Sequence, residues 1–393
     1  MSKRRSRWAR ALLVTGALGV FGTAGLWVAI HEVEGFGPAL ADGVRSLVGP
    51  GPVAWAEDTA YGVADWLNLH TRGGEAPKTY WEPAATDPTV PAAAAPGEPD
   101  PMADAPKPAT PPFENVAADG DGQWLPMRAP WDKGPIALYK TLLHPDKNRP
   151  FAAVAVVAMH TRDLEIHLVA GTDEPKSQHV FRADRPGLIP EAHHDLVVAA
   201  FNGGFKAMHG NYGMRIGERL FIPPRGIACD VGRNEEGGLV IGTHDALTEV
   251  EPTLVWYRQT PPCLVEGGAP NPGLLHEFNR NWGATVGGDT IIRRSAIGLS
   301  QDKKYLFYAL GDAVTAQSLG RALLTVGAHD AAQLDVNYSY PRFLLFERGE
   351  GGPSATGPII PDIKYNPADY VRTASQRDFF YVTRKQVKTA SNP

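Results

Sequence analysis

The sequence predicts an α+β fold, a domain of mixed or mainly antiparallel β-sheet with a few helices, preceded by an N-terminal transmembrane helix. Short apolar or alternating runs bounded by turn residues recur from about residue 120 to 384, and such runs are typical of β-strands. One amphipathic segment with helix start and stop signals interrupts them. The 42 glycines among 393 residues suit the tight turns that many short strands require.

The first thirty residues predict a membrane anchor. Residues 1–10 are basic and contain no acidic residue, and residues 11–30 contain no charged residue. Twenty helical residues span about 30 Å, the thickness of a bilayer's hydrocarbon core, and the basic flank predicts a cytoplasmic N-terminus. The alternative is a cleaved signal peptide, because Ala39-Leu40-Ala41 offers a cleavage site, although the apolar run exceeds the usual length of roughly 7–15 residues. Either way, the rest of the chain is expected in the periplasm or outside the cell.

Three segments are predicted after the anchor. Residues 31–81 form a membrane-proximal helical segment, which would pack on the next domain or lie on the membrane surface. Its apolar residues recur at helical spacing: Val53, Ala56, Ala60, Val63 and Leu67. Residues 82–117 form a linker, because ten prolines lie between positions 83 and 112 and such composition favours an extended chain. Residues 118–388 form the main domain.

The net charge argues against nucleic acid as a partner. The chain carries −5 in total. Because the first ten residues contribute +5, the remainder carries −5 − 5 = −10. An acidic body with no basic stripe does not match the electrostatic footprint of a nucleic-acid-binding protein.

Ten runs of the main domain predict strands, and one predicts a helix. The polar residues 160–163 predict a hairpin between the first two strands. Thr315 is the expected N-cap of the helix, and Gly327 is its expected stop. Its apolar stripe comprises Ala316, Leu319, Leu323 and Val326. The predicted strands are residues 151–159, 164–170, 195–201, 220–222, 238–241, 253–257, 305–310, 331–334, 342–346 and 379–383.

Two cysteines, Cys229 and Cys263, leave two possibilities open. In an oxidising compartment they can form a disulfide, and otherwise they are free buried thiols. The chain has no Cys-x-x-Cys motif, which argues against redox catalysis and a zinc ribbon. It also has no His-Glu-x-x-His, P-loop or dinucleotide-binding motif, so neither a metal nor a cofactor is expected.

Four motifs resemble, in the same order, those of the phosphodiester glycosidase domain family. They are Asn202-Gly203-Gly204-Phe205, residues 259–268, Arg294-Ser295-Ala296-Ile297-Gly298 and Leu334-Asp335. The resemblance covers roughly residues 150 to 350. One departure concerns the loop after Asp335: where the family has glycines, this chain has Val336-Asn337-Tyr338-Ser339-Tyr340.

The resemblance implies a binding site for a sugar phosphate. Asn202 and the glycines Gly203 and Gly204 would hold the substrate, since paired glycines let main-chain N–H groups approach a ligand; the alternative is a plain hairpin turn. Polar residues that follow the turn would line the same site: Lys206, His209 and Arg215. Arg294 would bind the phosphate, because a guanidinium group matches phosphate oxygens.

Asp335 is the expected catalytic carboxylate, because it ends a strand and carboxylates act at the anomeric carbon of sugars. Alternation along the chain predicts that Asn337 and Ser339 lie on the same side as Asp335. Glycoside cleavage usually needs a second carboxylate. Asp289 is the first choice, and Asp230 and Asp312 are the alternatives.

Two functions are therefore expected from the sequence. The first is a membrane-anchored, exported hydrolase that cleaves a sugar 1-phosphodiester in cell-envelope glycans. The alternative is a non-catalytic polysaccharide-binding domain involved in exopolysaccharide or envelope assembly. In both cases the partners are a carbohydrate or sugar phosphate and, through residues 11–30, the membrane.

Overall fold

The computed structural model describes residues 40, 43–44, 47–79, 81, 90, 100–129, 131–275, 282, 291–361 and 363–386. The chain divides into two compact units, Met1–Ala60 and Tyr61–Pro393. The predicted anchor, residues 11–30, lies outside the described residues. Within the described ranges, no helix is both long and apolar enough to span a bilayer.

The second unit consists mainly of antiparallel β-sheet, which confirms the predicted α+β class. Its strands are β1 (Leu125–Met127), β2 (Leu138–Leu143), β3 (Val154–His160), β4 (Leu164–Val169), β5 (Val197–Asn202), β6 (Met214–Ile216), β7 (Arg219–Ile222), β8 (Cys229–Asn234), β9 (Leu239–Thr243), β10 (Leu254–Thr260), β11 (Val265–Glu266), β12 (Ala269–Pro270), β13 (Ile292–Ser300), β14 (Tyr305–Val314), β15 (Ala328–Val336), β16 (Phe343–Gly349), β17 (Gly352–Pro358) and β18 (Phe379–Arg384). The described helices include α1 (Pro50–Arg72) and α2 (Ala316–Thr325).

These strands form three sheets in the described part of the chain. The first sheet has the order β1-β2-β3-β14-β13-β15-β11-β12, the second β7-β6-β10-β8-β9, and the third β17-β16-β5-β18-β4. The catalytic candidate Asp335 lies in β15 of the first sheet, whereas the Asn202-Gly203-Gly204 turn follows β5 of the third. The candidate site is therefore assembled between two sheets.

The predicted hairpin between β3 and β4 is wrong. β3 pairs with β2 and β14 in the first sheet, whereas β4 pairs with β18 in the third. The burial pattern explains the separation, because every residue of β3 is buried while β4 alternates between buried and half-buried residues. Alternate residues of β3 enter two different hydrophobic cores, and a strand covered on both faces reads as a continuous apolar run.

Helix α2 covers one face of the first sheet. The Thr315 side chain accepts a hydrogen bond from the Ser318 N–H at 2.9 Å, which makes Thr315 the predicted N-cap. Leu319 and Leu323 are fully buried, and Gly327 follows the helix with φ +92°. The stop signal is therefore a residue in the left-handed conformation that glycine adopts without strain.

Helix α1 differs from the predicted amphipathic pattern. Ala56, Ala60, Val63 and Leu67 of the expected apolar stripe are all exposed. Within the second unit the helix is held by both apolar and polar contacts: Leu69 packs against a hydrophobic core, and both carboxylate oxygens of Asp65 bind the guanidinium of Arg149, at 2.9 and 2.7 Å. A residue of the predicted linker contacts the first sheet: the Asp104 carbonyl accepts a hydrogen bond from the Tyr305 hydroxyl at 2.9 Å.

Cys229 and Cys263 form a disulfide bond, with their Cα atoms 4.8 Å apart. Cys229 begins β8, and Cys263 follows β10, the neighbouring antiparallel strand. The bond therefore joins the segment that follows β10 to the strand beside β10.

We expect the disulfide to be present in the exported protein. A tryptic digest of the non-reduced protein should contain one linked peptide pair carrying Cys229 and Cys263, and reduction should separate the pair. Mass spectrometry before and after reduction measures this. Two separate alkylated peptides from folded, non-reduced protein would contradict the prediction.

Candidate functional site

Three of the sequence motifs meet at the end of β15. The Asp335 N–H donates to the Gly203 carbonyl at 3.1 Å, and the Ser295 hydroxyl donates to the Asp335 carbonyl at 3.1 Å. Ser295 in turn accepts a hydrogen bond from the Asn202 side-chain amide at 2.8 Å. Residues from β5, β13 and β15, far apart in the sequence, therefore form one hydrogen-bonded cluster.

Asn202 lies in the interior of this cluster. Its side chain is fully buried, and its Oδ1 accepts a hydrogen bond from the Tyr308 hydroxyl at 2.8 Å. The Asn202 amide also donates to the Gly203 carbonyl at 3.1 Å. These bonds satisfy a buried polar side chain and join β5 of the third sheet to β13 and β14 of the first.

Asp378 and Arg258 fix the glycine turn, and sequence reasoning did not identify either of them. The Gly203 N–H donates to the Asp378 carbonyl at 3.0 Å, and the Gly204 N–H donates to its carboxylate at 2.9 Å. The Arg258 Nε donates to the same carboxylate at 2.8 Å, and both side chains are almost completely buried. The available signal was weak, because Arg258 directly follows the predicted strand 253–257 and only the structure extends β10 to Thr260.

The two glycines are required where they lie against Asp378 and Arg258. A Cβ atom added to Gly203 would collide with the carboxylate and carbonyl oxygens of Asp378 and lie 2.7 Å from its carbonyl carbon. A Cβ atom on Gly204 would lie 2.8 Å from the Arg258 Cζ. The N–H groups of both glycines donate inside the protein, so their role in substrate binding stays a prediction.

Replacing Gly203 with alanine should lower the free energy of unfolding by about 1–3 kcal/mol, because the added methyl group forces a backbone shift in a filled space. Chemical denaturation measures the change. Gly349→Ala is the matched control, since a Cβ atom at that position has no neighbour within 4 Å. Equal stability of the two variants would contradict the close approach.

Asp335 is buried and paired with a cation. Its side chain is 2% exposed, and its Oδ2 lies 2.6 Å from the Arg377 Nη1. The same oxygen accepts a hydrogen bond from the Asn337 side-chain amide at 3.2 Å. Burial raises the pKa of Asp335 above that of an exposed aspartate, and the positive charge of Arg377 opposes this shift. The site therefore combines a desolvated carboxylate, an amide and a guanidinium group.

The loop after Asp335 forms a turn held by Asn337. The Asn337 Oδ1 accepts hydrogen bonds from the Ser339 N–H at 2.9 Å and the Tyr340 N–H at 2.7 Å. Tyr340 is buried, and its hydroxyl donates to the Asp378 carbonyl. Tyr338 is exposed, with the Arg293 guanidinium 5.9 Å from the centre of its ring. Asn337 thus contacts the candidate carboxylate, while the two tyrosine rings lie elsewhere, one outside and one in the interior.

Arg294 lies in β13 and uses its guanidinium inside the protein. It donates to the Val314 carbonyl at 3.1 Å and to the Gln333 side chain at 3.1 Å, and it also binds the Trp282 carbonyl. The Gln333 amide donates to that same Trp282 carbonyl at 3.0 Å. These bonds satisfy donors of an arginine that is buried within the sheet. The role of Arg294 in phosphate binding stays a prediction.

The other predicted binding residues are spread over the second unit. Lys206 is half-buried, and His209 is exposed. Arg215 lies in β6, where its guanidinium donates to the Glu251 carboxylate at 3.1 Å. Their part in substrate binding is untested.

The alternatives for a second carboxylate are each engaged elsewhere. Asp230 binds the His244 Nδ1 at 2.7 Å, and Asp312 pairs with Arg293. Asp289 lies outside the described residues. Among the residues that the structure does describe, no group of three or more His, Cys, Asp or Glu side chains is placed to hold a metal ion.

Comparison with known proteins gives a distant resemblance of fold. No family model and no curated protein matches the chain. The catalytic domain of zebrafish N-acetylglucosamine-1-phosphodiester alpha-N-acetylglucosaminidase is similar at 14% identity with a TM-score of 0.43, covering 72% of this chain and 99% of that one. A hypothetical protein from Synechocystis is similar at 10% identity with a TM-score of 0.32, covering 67% of this chain and 62% of that one. These values describe the fold and assign no function.

Proposed function

We propose that this protein is a membrane-anchored, exported hydrolase that cleaves a sugar 1-phosphodiester in a cell-envelope glycan. The observation that carries the proposal is the meeting of Asn202-Gly203, Ser295 and Asp335 in one cluster. These residues belong to the motifs through which the sequence resembles phosphodiester glycosidases. Their contact supports a common site, because it joins the turn after β5 of the third sheet to β13 and β15 of the first.

The chemistry at Asp335 suits cleavage between a sugar and a phosphate. Hydrolysis adds water across the bond between the anomeric carbon and the phosphate oxygen, and it releases the sugar and a phosphate monoester. A carboxylate can act there as nucleophile or general base. The departing phosphate is already acidic and needs little protonation, so a carboxylate with a cation beside it can suffice. Arg377, 2.6 Å from Asp335, is such a cation.

The proposed location rests on three features of the chain. The Cys229–Cys263 disulfide supports an oxidising compartment, because disulfides persist mainly in exported proteins. Residues 11–30 would provide the anchor. The exposed apolar side chains of α1 within the second unit, Val63, Trp66 and Leu67, suit a segment that lies close to the membrane surface.

The burial of Asp335 and its pairing with Arg377 favour a second function. This function is the binding of an exported polysaccharide without cleavage. The Asp335 carboxylate is almost completely buried, and its charge is matched by Arg377, an arrangement that also serves as a structural ion pair. Tyr338, in the loop after Asp335, is 43% exposed and is an aromatic residue of the kind that contacts sugars, with its ring centre 6.0 Å from that of Tyr61.

An assay of the purified full-length chain in detergent separates the two functions. A synthetic sugar 1-phosphodiester should be hydrolysed by the wild-type protein, with equal amounts of free sugar and phosphate monoester formed. Binding of glycan fragments without either product would support the binding domain and reject the hydrolase.

A further inference from the structure

Arg377 has an incompletely paired guanidinium group at the edge of the candidate site. Its Nη1 lies 2.6 Å from the Asp335 carboxylate, and its Nη2 donates to the Gly204 carbonyl at 3.3 Å. The Nε atom is buried and has no hydrogen-bond partner among the described residues. The guanidinium carbon lies 4.4 Å from the centre of the Tyr340 ring, within the range of a cation–π contact.

A buried N–H group without a partner needs an explanation. Nearly all such groups in folded proteins bind another group, water or an ion, because leaving one unpaired is unfavourable. A guanidinium edge formed by Nε and one Nη matches two oxygens of a phosphate group. The Nε–H donor of Arg377 is therefore of the kind that binds a phosphate oxygen.

The position of Arg377 also makes it the accessible member of its ion pair. Its side chain is 13% exposed, against 2% for Asp335. Of the two side chains, that of Arg377 is therefore the more exposed to solvent. The half-buried Asn337 side-chain amide donates to the same carboxylate oxygen at 3.2 Å.

We propose that Arg377 binds the phosphate of a phosphodiester ligand at this site and that Asp335 competes with this phosphate for the guanidinium. The inference rests on the proposed function only in naming a sugar as the group attached to the phosphate. Binding of the phosphate by Arg377 does not depend on that function. Arg294 contrasts with Arg377, because its guanidinium binds Val314, Trp282 and Gln333 in the interior.

Competition gives the proposal an unusual consequence. Replacing Asp335 with asparagine removes the charge that neutralises Arg377 and leaves a positive site for an anion. Phosphate should then bind more tightly to the variant than to the wild-type protein, although turnover would be lost. A site in which Asp335 itself helped to hold the phosphate would show the reverse.

The experiment is calorimetric titration of the full-length protein with inorganic phosphate and, separately, with diethyl phosphate. Asp335→Asn should tighten binding of both probes about tenfold, the effect of removing one competing charge near the site. Arg377→Lys keeps the charge next to Asp335 but lacks the Nε donor, and it should weaken binding about tenfold. Arg372→Lys is the matched control, since Arg372 lies on the same segment, is exposed and donates to the Pro353 carbonyl. It should bind like the wild-type protein.

The outcomes distinguish this inference from the proposed function. Suppose that phosphate binding by the wild-type protein and the variants is as expected, but the wild-type protein hydrolyses no substrate. This result would reject the hydrolase and retain the phosphate site. Turnover together with unchanged phosphate affinity in Arg377→Lys would reject the site and retain the hydrolase. Failure of both probes to bind the wild-type and Asp335→Asn proteins also overturns the inference. Binding of inorganic phosphate without binding of diethyl phosphate also overturns the inference, because the site would then not accept a phosphodiester.

Discussion

Replacing Asp335 with asparagine should lower kcat for a sugar 1-phosphodiester by about 10²–10⁴-fold, the usual contribution of a catalytic proton-transfer group. Asparagine has nearly the same shape as aspartate, so the hydrogen-bonded backbone of β15 should persist. What disappears is the charge, and with it the ability to attack the anomeric carbon or to accept a proton from water. Initial rates of free-sugar release measure the change.

The loss must be separated from the effect of breaking a buried ion pair. Asp369→Asn is the matched control, because the Asp369 carboxylate pairs with the Arg342 guanidinium at 2.9 Å and both side chains are nearly buried. That variant should lose stability and keep its activity per folded molecule. Equal loss of kcat in both variants would assign Asp335 a structural role, and full activity of Asp335→Asn would reject it as the catalytic group.

Local sequence signals were sufficient for most elements of the fold. The helix α2 was predicted because its start and stop signals are local. Thr315 forms a capping hydrogen bond with the first turn, and Gly327 adopts a left-handed conformation after the last turn. Pairing between strands depends on burial across the whole molecule. The turn at residues 160–163 therefore predicted a hairpin, whereas β3 requires cover on both faces and joins a different sheet from β4.

The candidate site was accessible to sequence reasoning only in part. Asp335 and the Asn202-Gly203-Gly204 turn belong to motifs that can be read along the chain. Arg258, Arg377 and Asp378 acquire their roles through tertiary contacts. The two residues at 377 and 378 also lie beyond position 350, where the family resemblance ends. A buried ion pair leaves no periodic pattern in the sequence, so its partners are identified only when the strands are placed in space.

Replacing Arg258 with methionine should lower the free energy of unfolding by about 3–5 kcal/mol, the cost of leaving a buried partner charge uncompensated. Arg258 and Asp378 are 0% and 1% exposed. The variant would also deprive the Tyr212 and Gln259 carbonyls of donors that now lie 3.0 Å away. Urea denaturation, followed by circular dichroism, measures the loss.

The matched control for Arg258→Met is Arg219→Met, which removes a solvent-exposed ion pair. Arg219 lies 3.7 Å from Asp184, with side-chain exposures of 60% and 47%, and exposed pairs contribute about 0–1 kcal/mol. A large difference between the two variants is expected because water can solvate the Asp184 carboxylate but cannot reach the Asp378 carboxylate. Similar small losses in both would mean that Asp378 is solvated or protonated without Arg258. In that case the glycine turn would be held by its backbone hydrogen bonds and not by the buried ion pair.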